Sequence, residues 1–452
     1  MASGRYFIDG AMSGERENEF GNKEEIVVET EDREGEGFGE ESYSVQKQGE
    51  TMSNKRMKEM SIDRLSALPD GILLHILSFL DSNVKKAAVT SVLSKRWQFL
   101  WSELPKLTFR DYFWDVGKTR EFVSWVNRTI MLRSESYLKE FQVDFLYDEC
   151  YALERCIVAP QLKIEWPCLT RLSIEDVELH DDVIQEILLG CPVLCRLELR
   201  HCWGFKRLDI NSESLHDLMV YDSKDKSKID FLEISAPCIR SLDVSFSPVD
   251  KKLQLLNVQS LVTADIHFTV CDDSLEAVYT TLELLQKLQH AEELILGGVF
   301  VEVLSSSVLR GLRLPQSKRK VLVLETSRDM ESIPGILGLL ESSPRLDTLL
   351  IESVDSYEEP VRSWVPAANN DLECDLLNLK TVRLLDFADP NHAGEPMLTI
   401  ARTLLKRATT LEKMKIKALG KLTEFASEFT KMSETVLSYP RSSEKVVVGL
   451  RP

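Results

Sequence analysis

Positive charge is in short supply in this chain. Its 452 residues hold 55 Lys and Arg against 73 Asp and Glu, a formal net charge of −18 with a pI near 5.0. That balance argues against a general nucleic-acid binder and against a protein that rests on anionic lipid. No run of about eighteen apolar residues occurs, so no transmembrane helix is expected. The opening MASGRYFIDGAMSGERENEF has no apolar core of the kind a secretory signal needs. Nine scattered cysteines, an odd number, favour reduced thiols over a disulfide framework. The expected location is therefore the cytosol and/or the nucleus, and Lys55-Arg56-Met57-Lys58 reads as a solvated charge cluster rather than a localisation signal.

Catalytic patterns are missing too. The seven histidines fall in no His-x3-His or His-Glu-x-x-His frame, and neither a Gly-x-Ser-x-Gly elbow nor a Gly-x4-Gly-Lys-Ser/Thr loop is present. Cys191, Cys195 and Cys202, with His201, invite a zinc reading, but their spacing falls on successive repeat strands and turns. Small buried cysteines are common there, so structural thiols are favoured over a metal site. Asp181 and Asp182 are adjacent and do not face each other on a helix; Asp181 reads as a helix cap. No metal, cofactor or catalytic residue is expected.

Residues 1–50 carry fourteen Asp and Glu against five Lys and Arg in a background of low hydrophobicity. Such a segment cannot bury enough apolar surface to offset its ordering entropy, so residues 1–60 are expected to be an acidic disordered tail. Gly35-Glu36-Gly37-Phe38-Gly39 superficially suggests a phosphate loop. It has no flanking strand or helix pattern, and its acidic neighbours would repel phosphate.

What the chain has in quantity is a repeat. A loose Leu-x-x-Leu-x-Leu unit recurs as Leu169-Leu172-Ile174, Leu194-Leu197-Leu199, Leu215-Leu218-Val220 and Ile239-Leu242-Val244. Weaker copies follow at Leu261-Ala264-Ile266, Ala291-Leu294-Leu296, Leu322-Leu324, Leu346-Leu349-Ile351, Val382-Leu384 and Leu411-Met414-Ile416. The clearest copies start 25, 21, 24 and 22 residues apart, a leucine-rich-repeat period, and later spacings stretch toward thirty. Alternate residues of each short strand point inward, and the ones between them point out. Between two copies, Asp181–Leu189 carries a helical stripe of Val183, Ile184, Ile187 and Leu188, closed by Gly190 and Pro192. One such turn is too small to close its own core and must stack on its neighbours.

Ahead of the repeats, the run Ser61–Trp101 holds a compact helical unit. Pro69 and Asp70 suit a first helical turn, and Ile72, Leu73, Ile76, Leu77 and Leu80 recur at helical spacing, widened by Leu74 and Phe79. Gly71 should weaken that first turn by up to ~1 kcal/mol relative to alanine. The helix is too apolar for so short a unit to cover, which calls for a partner.

The order Leu68-Pro69-Asp70, Ile72-Leu73, Ile76-Leu77, Phe79-Leu80, then Ser94-Lys95-Arg96-Trp97 and Leu100-Trp101 resembles a plant-type F-box. Cys191-Pro192-x-Leu194-x-x-Leu197-x-Leu199, nearly repeated at Ala236–Val244, resembles the plant F-box leucine-rich-repeat family. Trp364-Val365-Pro366, Cys374, Leu379–Val382, Glu395 and Arg407–Ile416 resemble the FBD region that follows the repeats in many such chains.

These resemblances imply an α/β protein: an N-terminal three-helix F-box, then an irregular leucine-rich-repeat solenoid with parallel strands on the concave face and helices outside, ending in an FBD region. The implied boundaries are an acidic tail over 1–60, the F-box over 61–107, a linker or degenerate first repeat over 108–165, repeats over 166–360, and an FBD region over 361–452 continuing the solenoid. The implied role is a non-catalytic substrate-recognition subunit of an SCF-type ubiquitin ligase. The F-box would bind a Skp-family adaptor, and through it a cullin–RING ligase, with Leu68, Pro69, Ile72, Leu73, Ile76, Leu77 and Trp97. The repeats would bind a protein target through outward residues that include Arg171, Arg196, Glu198, Arg200, Met219, Tyr221 and His267. Nucleic acid and membrane are not expected partners. The alternatives are a non-degradative F-box scaffold or degenerate family member, and a receptor whose solenoid holds a small molecule.

Overall fold

Alternating leucines that must bury one edge of every short strand have a simple collective solution, and the chain adopts it. The computed structural model describes Leu65 and residues 68–80, 84–110, 116–131, 138–144, 165–221, 231–246, 252–268, 274–326, 332–353, 375–385, 394–417 and 426–451. The acidic tail and the Trp364–Pro366 and Cys374 parts of the FBD pattern lie outside them.

Thirteen strands form one all-parallel sheet. In sheet order they are β1 (Lys106–Arg110), β2 (Glu140–Asp144), β3 (Arg171–Glu175), β4 (Arg196–Arg200), β6 (Asp217–Tyr221), β8 (Ser241–Phe246), β10 (Thr263–Phe268), β11 (Glu293–Leu296), β12 (Val321–Thr326), β13 (Thr348–Ser353), β14 (Thr381–Leu385), β15 (Lys413–Lys417) and β16 (Val447–Arg451). The register stacks the repeat leucines: Leu172 pairs with Leu197, Leu197 with Leu218, and Leu218 with Leu242. A shared turn precedes the strands. The Lys139 carbonyl accepts from the amides of both Thr170 and Arg171, and the Thr170 carbonyl does the same for Cys195 and Arg196. The pattern recurs along the sheet, so the buried backbone is satisfied by the neighbouring repeat.

The outer layer departs from the expected ring of helices. Helix α4 (Asp181–Gly190) follows β3, but the next three turns return through short strands β5 (Arg207–Asp209), β7 (Phe231–Ser235) and β9 (Lys252–Leu256), which form a second parallel sheet. Helices resume with α5 (Leu275–Lys287), α6 (Gly298–Leu309), α7 (Ile333–Glu341), α8 (Gly394–Arg407) and α9 (Ala426–Ser438). Repeat length explains the switch. The strand-backed turns are the short ones, starting 21, 24 and 22 residues apart. An extended return covers ~3.3 Å per residue and a helix only ~1.5 Å, so a short repeat can close only by extending. Leu208/Ile210, Leu232/Ile234 and Leu253/Leu255 supply the alternating buried positions this needs.

Residues 106–144, read from the sequence as the end of the F-box and a linker or degenerate repeat, carry β1, helix α3 (Val116–Met131) and β2. Aromatics replace leucines here: the Phe109 ring lies 5.0 Å from Trp125 and 5.7 Å from Phe141, and Phe141 lies 5.2 Å from Trp166. At the other end, β14 to β16 with α8 and α9 continue the solenoid through the region of the FBD resemblance.

The N-terminal unit holds α1 (Asp70–Ser78) and α2 (Val84–Val89). Where a third α-helix was expected, two 3-10 turns stand, at Thr90–Val92 and Leu100–Glu103. The hydroxyls of this stretch compete for backbone groups: Thr90 donates to the Ala87 carbonyl at 2.6 Å and Ser91 to that of Gln98 at 3.2 Å. Pro69 is the residue before α1, and its carbonyl accepts from the Ile72 and Leu73 amides. One further expectation changes: Asp181 does not cap α4 but accepts from the Lys206 and Arg207 amides, at 2.9 and 3.2 Å, tying the helix to β5.

Candidate functional site

Two surfaces stand out, and the first lies on the N-terminal helices. Their own core takes Leu73, Leu77, Val84, Ala87, Trp97, Leu100 and Trp101. What the core cannot reach is left in solvent: Ile72, Phe79, Val89, Val92, Leu93 and Phe99 are between 47% and 84% exposed. Six large apolar side chains exposed within some thirty residues are characteristic of an interaction site.

The seven residues expected to face an adaptor therefore divide. Pro69 and Ile72 are exposed, and Leu68 and Ile76 are half-buried. Leu73, Leu77 and Trp97 are 0%, 1% and 3% exposed, so they shape this surface from below instead of forming it. The reason is geometric: the Ile72/Leu73/Ile76/Leu77 stripe is wider than one contact face, and half of it packs inward. Val89, Val92 and Leu93 escape the helical stripe; their signal in the sequence is three apolar residues within Val89-Thr90-Ser91-Val92-Leu93, directly ahead of Ser94-Lys95-Arg96-Trp97.

The second surface is the open side of the large sheet, made by the residues between the buried leucines. All seven expected target-binding residues lie on it: Arg171 on β3; Arg196, Glu198 and Arg200 on β4; Met219 and Tyr221 on β6; His267 on β10. The register brings Arg196 beside Arg171 and Asp217, Glu198 beside Met219, and Arg200 beside Tyr221.

At its N-terminal end this face neutralises itself. Glu140 joins Lys106 at 3.1 Å and Arg171 at 3.2 Å, Arg196 reaches Asp217 at 3.0 Å, and Arg200 pairs with Glu198 while its guanidinium lies 5.1 Å from the centre of the Tyr221 ring. Toward the middle, acid dominates. Tyr221 donates to Asp243 at 2.5 Å, and His267 contacts Asp265 at 2.7 Å through Nε2 and Glu325 at 3.4 Å through Nδ1. Gly297 makes the imidazole's position possible, since a Cβ there would stand 2.7 Å from its Nδ1.

Burial tunes these groups. It pushes Asp243 up to about 6, with the Tyr221 hydrogen bond opposing, and raises Glu325 as well. Burial disfavours the His267 cation, yet Asp265, Glu325 and Asp243 outweigh it and lift the imidazole to about 9. His267 is therefore a cation at neutral pH.

Beyond His267 the open face changes character twice. Ile295, Val323 and Leu350 are paired neighbours on β11, β12 and β13 and form a half-buried apolar strip. Arg383 on β14, then Lys413, Lys415 and Lys417 on β15, follow it. Sequence reasoning missed these residues because it stopped where the repeat spacing loosens, although Ile295, Val323, Leu350, Arg383 and Lys415 each stand between two buried positions of their own Leu-x-Leu, with Lys413 and Lys417 flanking the last.

Among the described residues no cysteine belongs to a cluster of potential metal ligands. Cys191 and Cys202 are buried, which pushes both thiols up to about 12, and Cys202 donates to the Ile174 and Arg200 carbonyls. Cys195 is exposed and donates to the Val193 carbonyl. Among the described residues the one trio of potential ligands within 4.8 Å is Asp144, Glu175 and Asp176, with Arg110 3.9 Å from Asp144. Nor is any helix among them long and apolar enough to cross a membrane.

A parallel leucine-rich solenoid with a largely charged open face, led by helices that leave large apolar side chains exposed, defines a leucine-rich-repeat protein. The family model described as "At1g61320/AtMIF1, LRR domain" matches residues 145–446. Putative F-box/LRR-repeat protein At3g18150 of Arabidopsis thaliana is 31% identical over 355 residues, 69% of this chain and 76% of that protein. F-box/LRR-repeat protein At3g03360 of the same plant is 27% identical over 448 residues, 85% of this chain and 90% of its own length. The chain belongs to the plant F-box/leucine-rich-repeat family.

Proposed function

We propose that this protein is a substrate-recognition subunit of an SCF-type ubiquitin ligase. Its N-terminal helices dock a Skp-family adaptor, and the adaptor brings a cullin–RING ligase. The open face of the solenoid holds a protein target. No side chain of this chain performs the transfer: the chemistry belongs to the recruited enzymes, and this chain contributes effective concentration by holding target and ligase together.

The observation that carries this reading is the set of large apolar side chains left exposed in the N-terminal unit, Ile72, Phe79, Val89 and Val92 among them, in a chain whose relatives are named F-box proteins. Central apolar anchors of that kind supply most of the affinity at protein interfaces. The test is co-purification of Skp-type adaptor and cullin from plant extract with the full chain and with Ile72→Asp. Loss of both partners from a variant whose melting temperature is unchanged supports the assignment; equal capture by both chains overturns it.

A further inference from the structure

The open face has a charge order that the proposed role as a target receptor leaves unused. From β8 to β13 it presents five carboxylates, on Asp243, Asp265, Glu293, Glu325 and Glu352, against the single cation of His267. The apolar strip of Ile295, Val323 and Leu350 lies within this stretch. Directly after it, β14 and β15 present Arg383, Lys413, Lys415 and Lys417 and no carboxylate.

Those blocks lie along one line. Asp243 pairs with Asp265, Asp265 with Ile295, Ile295 with Val323, Val323 with Leu350, Leu350 with Arg383, and Arg383 with Lys415. With strands ~4.8 Å apart, these six steps span ~29 Å, the length of about nine residues of extended chain. Along this line two carboxylates, three apolar side chains and two cations follow one another, an order that favours a ligand of complementary order and penalises the reverse.

We infer that this stretch of the open face binds one extended segment of a protein target in which basic, apolar and acidic side chains follow one another in that order. The inference rests on the open face being the target surface and adds the chemistry of what it selects. Basic side chains lie over Asp243 and Asp265, in the stretch where five carboxylates face the single cation of His267. Apolar side chains cover Ile295, Val323 and Leu350. Acidic side chains reach Arg383 and Lys415.

The test is selection of random dodecamer peptides displayed on phage against the full chain. Each selected peptide is then measured by fluorescence anisotropy on wild type, Asp243→Lys/Asp265→Lys, Arg383→Glu/Lys415→Glu and Val323→Arg, all confirmed folded by circular dichroism. The expected peptides carry a basic block, an apolar core and an acidic block, and lose tenfold or more in affinity on each variant. Exchanging the charged residues at one end of a peptide restores binding to the variant reversed at the matching end. The second charge-reversed variant keeps the test decisive if the loss of the Tyr221–Asp243 contact unfolds the first. Peptides sensitive to Val323→Arg but without the charge order overturn this inference and leave the target-surface reading standing. Peptides indifferent to all three variants, or a selection that yields none, overturn both.

Discussion

Asp70 and Arg96, 26 residues apart, are joined by a two-pronged ion pair: Nε of Arg96 lies 2.8 Å and Nη2 2.5 Å from the same Asp70 oxygen. The pair links the Leu68-Pro69-Asp70 start of the N-terminal unit to its Ser94-Lys95-Arg96-Trp97 end. Asp70 is also the first residue of α1, where a carboxylate meets the positive end of the helix dipole. Both side chains are solvated, with 36% of Arg96 and 63% of Asp70 accessible. Solvated pairs are worth ~0–1 kcal/mol. A double-mutant cycle with Asp70→Ala and Arg96→Ala, followed by thermal melting, should give a coupling below about 1 kcal/mol that falls further in 0.5 M salt.

Two neighbours on α1 should fail in different ways. Ile72 is 47% exposed and Leu73 is 0% exposed, although both were expected to face the adaptor. Leu73→Ala deletes a fully buried side chain and should destabilise the N-terminal unit by ~2–5 kcal/mol. Ile72→Ala should leave stability within ~1 kcal/mol and, as an anchor, weaken adaptor binding by about 2 kcal/mol. Calorimetric melting and titration of the two variants against a Skp-type adaptor separate these outcomes.

The difference between those two residues marks how far the sequence could be read. Leucine periodicity located the large-sheet strands from β3 to β15, though not β16, because alternation is a direct consequence of burying one side of a strand. It missed β1 and β2, where Phe109 and Phe141 do the work of leucines, and it misread the outer layer over 207–256, where repeat length decides between helix and strand. The open-face positions from Arg171 to His267 follow from the same alternation. Which F-box residues stay exposed does not follow, because four apolar residues on adjacent helical positions look alike until neighbours are packed against two of them.

His267 should make stability fall at alkaline pH. Its folded value of about 9 stands above the ordinary 6.5, so the contribution is complete below about pH 6.5 and is lost as pH rises through about 9. The shift corresponds to about 3 kcal/mol as an upper bound. Urea denaturation from pH 6 to 9.5 should show a decline that His267→Gln flattens. Gly297→Ala should act in the same direction, since its new methyl group would displace the ring from Asp265 and Glu325; the readout is a lower His267 pKa by NMR.

Arg319 occupies a position that should hold a leucine. It stands two residues ahead of Val321, as Ala291 does ahead of Glu293 and Leu346 ahead of Thr348, and those residues are strand partners in register. The repeat copy at Leu322-Leu324 therefore has its first member, and it is an arginine. The side chain is 0% exposed, none of its three guanidinium nitrogens has a hydrogen-bond partner, and burial lowers its pKa to about 10. A buried cation without a counter-charge costs several kcal/mol. Arg319→Met keeps most of the volume and removes the charge, so it should stabilise the solenoid by about 2 kcal/mol or more and raise its melting temperature by a few degrees. Leu346→Arg, which places the same charge one repeat later, should lower it. If Arg319→Met melts at or below the wild-type temperature, the guanidinium is satisfied in solution by an anion or water, and phosphate titration monitored by melting temperature would then distinguish those two.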